Sequence, residues 1–489
     1  MKKIFVLLIL LFIAFTVWGQ DVTVYQVTPD SDNTNNRNCS IASNSKGDIL
    51  IIYRNNMVGM KYYYKKSGSA NGVIGEIPEP YSNANGGKMQ WTNVRATWDN
   101  VFHAAWCQSI PHNDGIWYGT FDPTSEQWST PVNVVPGWVE DVSLRVSPLN
   151  GDLALIWDWY NGGAKFVYVQ FKMGGTGSWV NRQTVAPQWT TNAMGSFDEE
   201  GYLYVAWKTD GNVDSDLWPA FSFLKKDTDG NYKYLGKVIV STATGWHFLP
   251  TVAVVEKKGF LACINENTRQ YFHLPFERNG DGIVTNFSNF APVTSGPGRW
   301  EFPSIAMPYG EEILYSYKAP DTSIKMMRYK NGAFLNETAI SLNNNMASNW
   351  VYDSQEDPNL GVLTVWATYQ EPNRIFYSLW DNPLLKVKNA VLKNIPQKQV
   401  LRSFFRMRYI YILLWENNPF NIEKQVVVTK FNVYRKTTGS SDNWVQVGSV
   451  PFDSQITEFR YVDYNVTASS NFEYSVTCVD NEGNESKPK

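Results

Sequence analysis

MGSFDEEGYLYVAW, residues 194–207, reads as two short strands folded about a turn. The polar Asp198-Glu199-Glu200-Gly201 supplies the turn, and Tyr202–Trp207 is an aromatic-rich apolar run of strand length. The same pattern is written six more times: SIASNSKGDILIIY from Ser40, VRATWDNVFHAAW from Val94, LRVSPLNGDLALIW from Leu144, TVAVVEKKGFLACI from Thr251, SIAMPYGEEILYSY from Ser304 and SQEDPNLGVLTVWA from Ser354. Anchored on the turn residues Gly47, Asn100, Gly151, Gly201, Gly259, Gly310 and Gly361, successive repeats are 53, 51, 50, 58, 51 and 51 residues apart. A period near fifty is the length of one four-stranded propeller blade.

Each pair is followed by a third strand with alternating aromatics, such as KYYYKK (61–66), IWYGTF (116–121), KFVYVQFK (165–172) and RIFYSLW (374–380). A fourth, more polar strand comes next, as in WSTPVNVV from Trp128 and WVNRQTVA from Trp179. The seventh repeat stops after its third strand at Trp380, whereas VTVYQVT (22–28) has no partner near it in sequence. Closing a ring by pairing the two ends removes exposed strand edges. The expectation is therefore an all-β chain: a seven-bladed β-propeller over residues 20–382, with 22–28 completing the last blade, and a C-terminal β-sandwich over 383–489.

That second unit shows a different rhythm: YIYILLW (409–415), FNVYRK (431–436), WVQVGSV (444–450), FRYVD (459–463) and FEYSVTCVD (472–480) separated by polar turns. NVYRK, YVDYNV and YSVTCVDNEGNES resemble the latter part of a fibronectin type III module. The resemblance implies one more edge strand after Asn484-Glu485-Ser486, where only Lys-Pro-Lys remains, so the expectation is either a trimmed module or a sequence that lacks a further segment.

Composition narrows the function classes. Met1-Lys2-Lys3, an apolar run from Ile4 to Phe15, and Gly19 before Gln20-Asp21 read as a secretory signal over 1–19. The run is too short for a membrane span, and no later segment is long and apolar enough for one. A secreted, extracellular or cell-surface protein of bacterial origin is expected, with the periplasm as the other compartment. Cys39, Cys107, Cys263 and Cys478 are scattered without metal-ligand spacing and read as buried small hydrophobes rather than disulfides. Net charge is −3 with interspersed signs, which gives no footprint for nucleic acid. Aromatics make up 15% of the chain, a share that suits strands and also sugar stacking.

The hairpins Gly174-Gly-Thr-Gly177, Asp227-Thr-Asp-Gly-Asn-Tyr232 and Asn279-Gly-Asp-Gly282, with the SIA-x5-G-x-LYVAW pattern, resemble degenerate Asp-box turns of sialidase-like (BNR-repeat) propellers over roughly residues 22–382. In that family an arginine triad binds a carboxylate, beside a Tyr and Glu nucleophile pair and an Asp acid. Only Arg37 stands where the first arginine would. The same offset in later repeats gives Trp91, Asp141, Thr191, Phe248, Glu301 and Val351, so the triad is not reproduced. The resemblance implies fold, and function has to be argued from the site.

Trp91, Trp138, Trp189, Trp246, Trp300 and Trp350 recur just before the first strands of blades two to seven. They would either ring one channel mouth and stack on a sugar, with Arg37, or fill the space between blades. Asp141 and Glu301 would act as acid and base in glycoside hydrolysis if they face one another across that mouth, and His247 would serve a lyase; solvated loop charges and packing are the competing readings. Asp227, Asp229 and Asn231 present oxygens that suit calcium, although tight-turn chemistry explains them equally. No His or Cys pair has zinc-ligand spacing, and Gly174–Gly177 precedes a strand rather than a phosphate-binding helix, so no metal or organic cofactor is expected beyond that calcium option. The leading expectation is a propeller that binds a glycan or another extracellular polymer. A carbohydrate-active hydrolase or polysaccharide lyase, and a non-catalytic adhesion or scaffold protein, are the alternatives.

Overall fold

The computed structural model describes residues 22–56, 59–78, 88–97, 99–109, 115–137, 139–161, 164–186, 190–209, 218–240, 246–255, 257–265, 267–293, 304–309, 312–318, 324–330, 333–339, 353–357, 361–368, 372–380, 389–394, 396–403, 406–418, 421–422, 427–439, 444–481, 485–486 and 488. Their regular structure is almost wholly antiparallel strand. Blade 1 runs Asn36–Ser43, Ile49–Asn55, Gly59–Lys65, Val73–Glu76; blade 2 begins with Lys88–Ala96, blade 3 with Val139–Val146, blade 4 with Thr190–Phe197, blade 5 with His247–Val255, and blade 6 with Ser304–Tyr309. Blade 7 takes Asp353–Asp357, Gly361–Ala367 and Ile375–Trp380, and its outer strand is Val22–Gln26, with Val22 opposite Trp380 and Gln26 opposite Phe376. The seven first strands neighbour one another in chain order, and Asp353–Asp357 returns against Asn36–Ser43. The described strands from Val22 to Trp380 thus form a closed ring of seven sheets, a seven-bladed β-propeller.

The alternating residues of each strand face the two adjacent blades. The cores consequently lie between blades. Val167, Phe171 and Trp207 meet between blades 3 and 4; Ile41, Tyr53, Val365 and Tyr377 meet between blades 7 and 1. Trp106, Trp157 and Trp207, each on a second strand, are fully buried there, as expected of inter-blade packing residues, and Trp366 of blade 7 is fully buried as well. Such an indole is worth roughly 3–5 kcal/mol against truncation to Ala. At the ring's seam Tyr25 stacks on Tyr377, with centroids 4.8 Å apart and planes at 16°.

The hairpin turns explain the repeat's punctuation. Gly47, Asn100, Gly151 and Gly201 all take left-handed φ (82°, 67°, 71° and 80°), the region a type of turn residue without strain at Cβ favours. Asp48 and Asp152, just after two of them, accept the backbone N–H groups of Ser67 (2.8 Å) and Gly174 (2.6 Å), tying the first hairpin of a blade to its second. All four cysteines are free and buried. No helix among the described residues is long and apolar enough to cross a membrane.

Beyond Trp380, two further sheets share one core. In one, Arg406–Glu416 pairs with Phe459–Val466 on one side and with Val391–Leu392 and Lys398–Ser403 on the other; the second has the order Val445–Pro451, Val428–Thr437, Phe472–Asp480. Leu413, Trp415, Phe431, Val433, Phe459, Val476 and Cys478 fill the space between them, giving a β-sandwich. Buried Asp463 is paired there with Arg435 and accepts from the Tyr474 hydroxyl at 2.9 Å.

Candidate functional site

The first strands of blades 1 to 5 share a local irregularity. In each, two residues oppose one on the second strand: Asn38-Cys39 opposite Tyr53, Gln90-Trp91 opposite Cys107, Glu140-Asp141 opposite Asp158, Asn192-Ala193 opposite Trp207, and Leu249-Pro250 opposite Cys263. These are β-bulges, which bend the strand and re-aim side chains. Asn38 and Leu249 adopt left-handed φ (49° and 52°) to make them. Counted by register, Arg37 is level with Met89, Val139, Thr191 and Phe248. That corrects the fixed-offset count, because Trp91 and Asp141 lie two residues further on, inside bulges.

The tryptophans expected around the mouth separate. Trp246 is 47% exposed, the one exposed tryptophan among residues whose side chains are described. Phe248 stands edge-on to it at 6.4 Å, and the Lys208 ammonium lies 4.0 Å from the Phe248 centroid. Trp91 is half-buried and packs on the core between blades 2 and 3 that holds Val139 and Trp157, which agrees with the packing alternative for that residue. Trp138, Trp189, Trp300 and Trp350 lie outside the described residues, as does Glu301. His247 is buried between Phe272 and Phe290, with Nε2 3.0 Å from Asn265 Nδ2; enclosure among rings makes it a packing residue and corrects the expectation that it faces the channel.

Arg37 and Arg54 oppose one another on adjacent strands of blade 1, and Arg37 Nε donates to Asn373 Oδ1 at 3.0 Å. Burial, then the neighbouring Arg37, lower the Arg54 pKa from its ordinary value. Asp141 is buried, and its backbone N–H donates to the buried Asp158 carboxylate at 2.8 Å, a contact that holds the blade 3 bulge.

Sequence reading missed what lies nearest the axis. Arg95 of blade 2 reaches past blade 1 to grip Asp353 of blade 7 through both terminal nitrogens, at 2.8 and 3.1 Å. Blades two apart touch only near the axis. Ser40 Oγ donates to the same carboxylate at 2.6 Å, and on the other side Arg145 donates to Asn93 Oδ1 at 2.9 Å and to the Gly195 carbonyl. Burial opposes ionisation of Asp353, but Arg95, Arg145 and the Ser40 hydrogen bond outweigh it and hold the carboxyl below its ordinary value. A guanidinium so engaged is spoken for, which separates Arg95 from any substrate-carboxylate role. An arginine and an aspartate in matching first strands were the available signal, but their separation of 258 residues hid the pairing.

At the Asp227–Tyr232 hairpin, Asn231 N–H donates to Asp229 Oδ1 at 2.9 Å, Lys233 pairs with Asp227, and its ammonium lies 3.5 Å from Asp229. Tight-turn chemistry with a lysine as counter-charge accounts for these oxygens. Among the described residues no cluster of three or more His, Cys, Asp or Glu is placed to hold a metal.

No family model and no curated protein sequence matches this chain. Solved structures do. An ulvan lyase described as a new family of polysaccharide lyase aligns with a TM-score of 0.50 at 12% identity, covering 70% of this chain and 94% of that one. A protein of unknown function from Dyadobacter fermentans aligns with a TM-score of 0.43 at 11% identity, over 73% of this chain and 98% of that one. At such identity the likeness to the ulvan lyase is one of fold alone.

Proposed function

We propose that this protein is an exported glycan-binding propeller that holds a polysaccharide across the mouth where the first strands begin. The observation that carries the reading is Trp246: an exposed indole, flanked by Phe248 and the Lys208 ammonium, in a chain whose other described indoles are buried or half-buried. A flat apolar face with polar neighbours is how proteins stack on sugar rings. In this reading residues 1–19 are the export signal, the ring is a sialidase-like (BNR-type) propeller, and the sandwich is a fibronectin type III-like spacer. Its strand order, and the isolated bridge Val479–Glu485 where a last edge strand would begin, support that last assignment.

A glycan-array screen followed by calorimetric titration of the hits tests the reading. Trp246→Ala is expected to weaken binding at least tenfold, about 1.4 kcal/mol, with the thermal midpoint unchanged. Unchanged affinity would remove the stacking platform from consideration.

A further inference from the structure

The face that blade 3 turns to blade 2 carries donors that the packing leaves unanswered. Blade 3 continues from its first strand with Leu153–Asn161, Ala164–Lys172 and Val180–Thr184. Along Ala164–Lys172, Val167, Val169 and Phe171 enter the core shared with blade 4, so the alternate residues Tyr168, Gln170 and Lys172 face blade 2. Gln170 is only 7% exposed, and its Nε2 meets no acceptor. A buried donor left unpaired is costly, and native folds hold few of them. Opposite Gln170 the outer strand carries a bulge, Asn181-Arg182, with Asn181 at left-handed φ (56°). Asn181 and Gln183 turn to blade 4, where both donate to the Tyr232 carbonyl, and Arg182 between them turns the other way. Its guanidinium lies 4.5 Å from the Tyr168 ring centroid, 4.8 Å from that of Trp159 and 5.3 Å from that of Trp157. Among the described residues Arg182 has these three ring contacts and no hydrogen bond or ion pair from its side chain.

Stacking engages the face of a guanidinium and leaves the N–H donors on its edge for other groups. Arginine offers donors and no acceptor, and Gln170 Nε2 adds a further donor on the same face of the sheet. A carboxylate answers such a planar fork, through two parallel N–H···O contacts. Tyr168 and Trp159 are half-buried and Arg182 is exposed, so this part of the blade meets solvent. Lys172 adds a second positive charge to the face, its ammonium 5.2 Å from the Tyr118 centroid and donating to the Gly177 carbonyl at 2.6 Å. We infer that Arg182 and Gln170 form a carboxylate-binding site, with Trp159 and Tyr168 as the apolar surface for the ring that bears the carboxylate, and that its ligand is a uronate unit of an acidic glycan. The site lies on blade 3, whereas Trp246 stands at the entry of blade 5, so it goes beyond the stacking platform and does not depend on it.

Calorimetric titration of the full-length protein with trigalacturonate, neutral cellotriose and dextran sulfate tests the inference. The expected result is binding of trigalacturonate and not of cellotriose, weakened tenfold or more in Arg182→Lys, which keeps the charge and loses the planar fork. Gln170→Leu should weaken it likewise while its thermal midpoint stays level or rises, because a buried unanswered donor has been removed. A midpoint several degrees lower in Gln170→Leu would show that the amide serves the fold, and overturns its part in the site. Trigalacturonate binding that is unchanged in both variants but lost in Trp246→Ala overturns the site and leaves the stacking reading in place. Tighter binding of dextran sulfate than of trigalacturonate overturns the carboxylate assignment. Trigalacturonate binding through Arg182 in a protein that captures no array glycan through Trp246 supports this site and removes the platform, and no binding of trigalacturonate by the wild type overturns the site alone.

Discussion

Replacing Arg95 with Met takes from the Asp353 carboxylate its bidentate partner, leaving only the more distant Arg145 and the Ser40 hydroxyl, and the cost follows from the geometry. The pair is bidentate, and its side chains are only 9% and 11% exposed. Breaking a buried pair by removing one partner costs about 3–5 kcal/mol. Unfolding entropy of about 2.1 cal/mol/K per residue, summed over a propeller of roughly 360 residues, comes to about 0.75 kcal/mol/K. The melting temperature of Arg95→Met should therefore fall by about 4–7 °C at pH 7, read by scanning calorimetry. Removing both charges in Arg95→Met/Asp353→Asn should recover part of that loss, because no uncompensated charge is left buried. The pH dependence carries a sign. In the wild type the Asp353 pKa is lowered below 3.8, so its contribution is full above that pH and is lost only as pH falls below it. Without Arg95 the dominant influence becomes burial, which raises the pKa, so the variant's deficit should be largest near neutrality and shrink on acidification. A drop under about 1 °C, or a double variant as damaged as the two single ones added together, would refute the idea that this pair clamps the ring.

Gly201→Ala places a Cβ in a left-handed turn (φ 80°) at 2.9 Å from Leu149 Cδ2, and should cost about 1–2 kcal/mol from the backbone conformation with the clash in addition, measured by denaturant titration. Asn100→Gly, at the equivalent turn of blade 2, should be neutral or slightly stabilising in the same assay. Burial lowers His103 and His273 from 6.5 to about 4, so the unfolded chain takes up protons first; stability should be full above about pH 6.5 and fall by about 3 kcal/mol for each histidine as pH approaches 4, a slope that urea titrations at pH 7.5 and 5 would detect and that His103→Gln/His273→Gln should flatten. Deleting residues 22–28 removes the outer strand of blade 7 and the Tyr25 stack, so the bared edge of Ile375–Trp380 should produce concentration-dependent oligomers in size-exclusion chromatography.

The ring was legible because its information is local and repeated. A turn residue able to take left-handed φ, followed by an apolar strand ending in an aromatic, states a hairpin within fourteen residues, and Gly47, Asn100, Gly151 and Gly201 show the backbone reason. Gly259 fits the spacing for another reason: its hairpin is shorter, with Val255 opposite Lys258, and its missing side chain makes room for the Phe276 ring, which a Cβ would meet at 2.4 Å. The seam was legible by subtraction, since a final repeat with three strands needs a fourth from elsewhere.

The mouth was less legible, and the bulges are the physical reason. A strand pattern assumes that each residue advances the side chain by one face, and an inserted residue breaks that count without any change in composition. Trp91 and Asp141 looked equivalent to Arg37 by distance from the strand's far end, yet by pairing they belong to the step after it. The bulges leave little trace in the sequence, since Asn38-Cys39, Gln90-Trp91, Glu140-Asp141, Asn192-Ala193 and Leu249-Pro250 share no residue type. Tryptophans drew attention away from it, since an indole serves stacking and packing equally well and only burial separates the two: Trp246 and Trp91 occupy comparable places in the sequence, one exposed beside Phe248 and the other against Trp157. A tryptophan at a repeated position therefore reads two ways until its burial is known, because inter-blade packing itself demands aromatics and one inserted residue changes which of them reaches it.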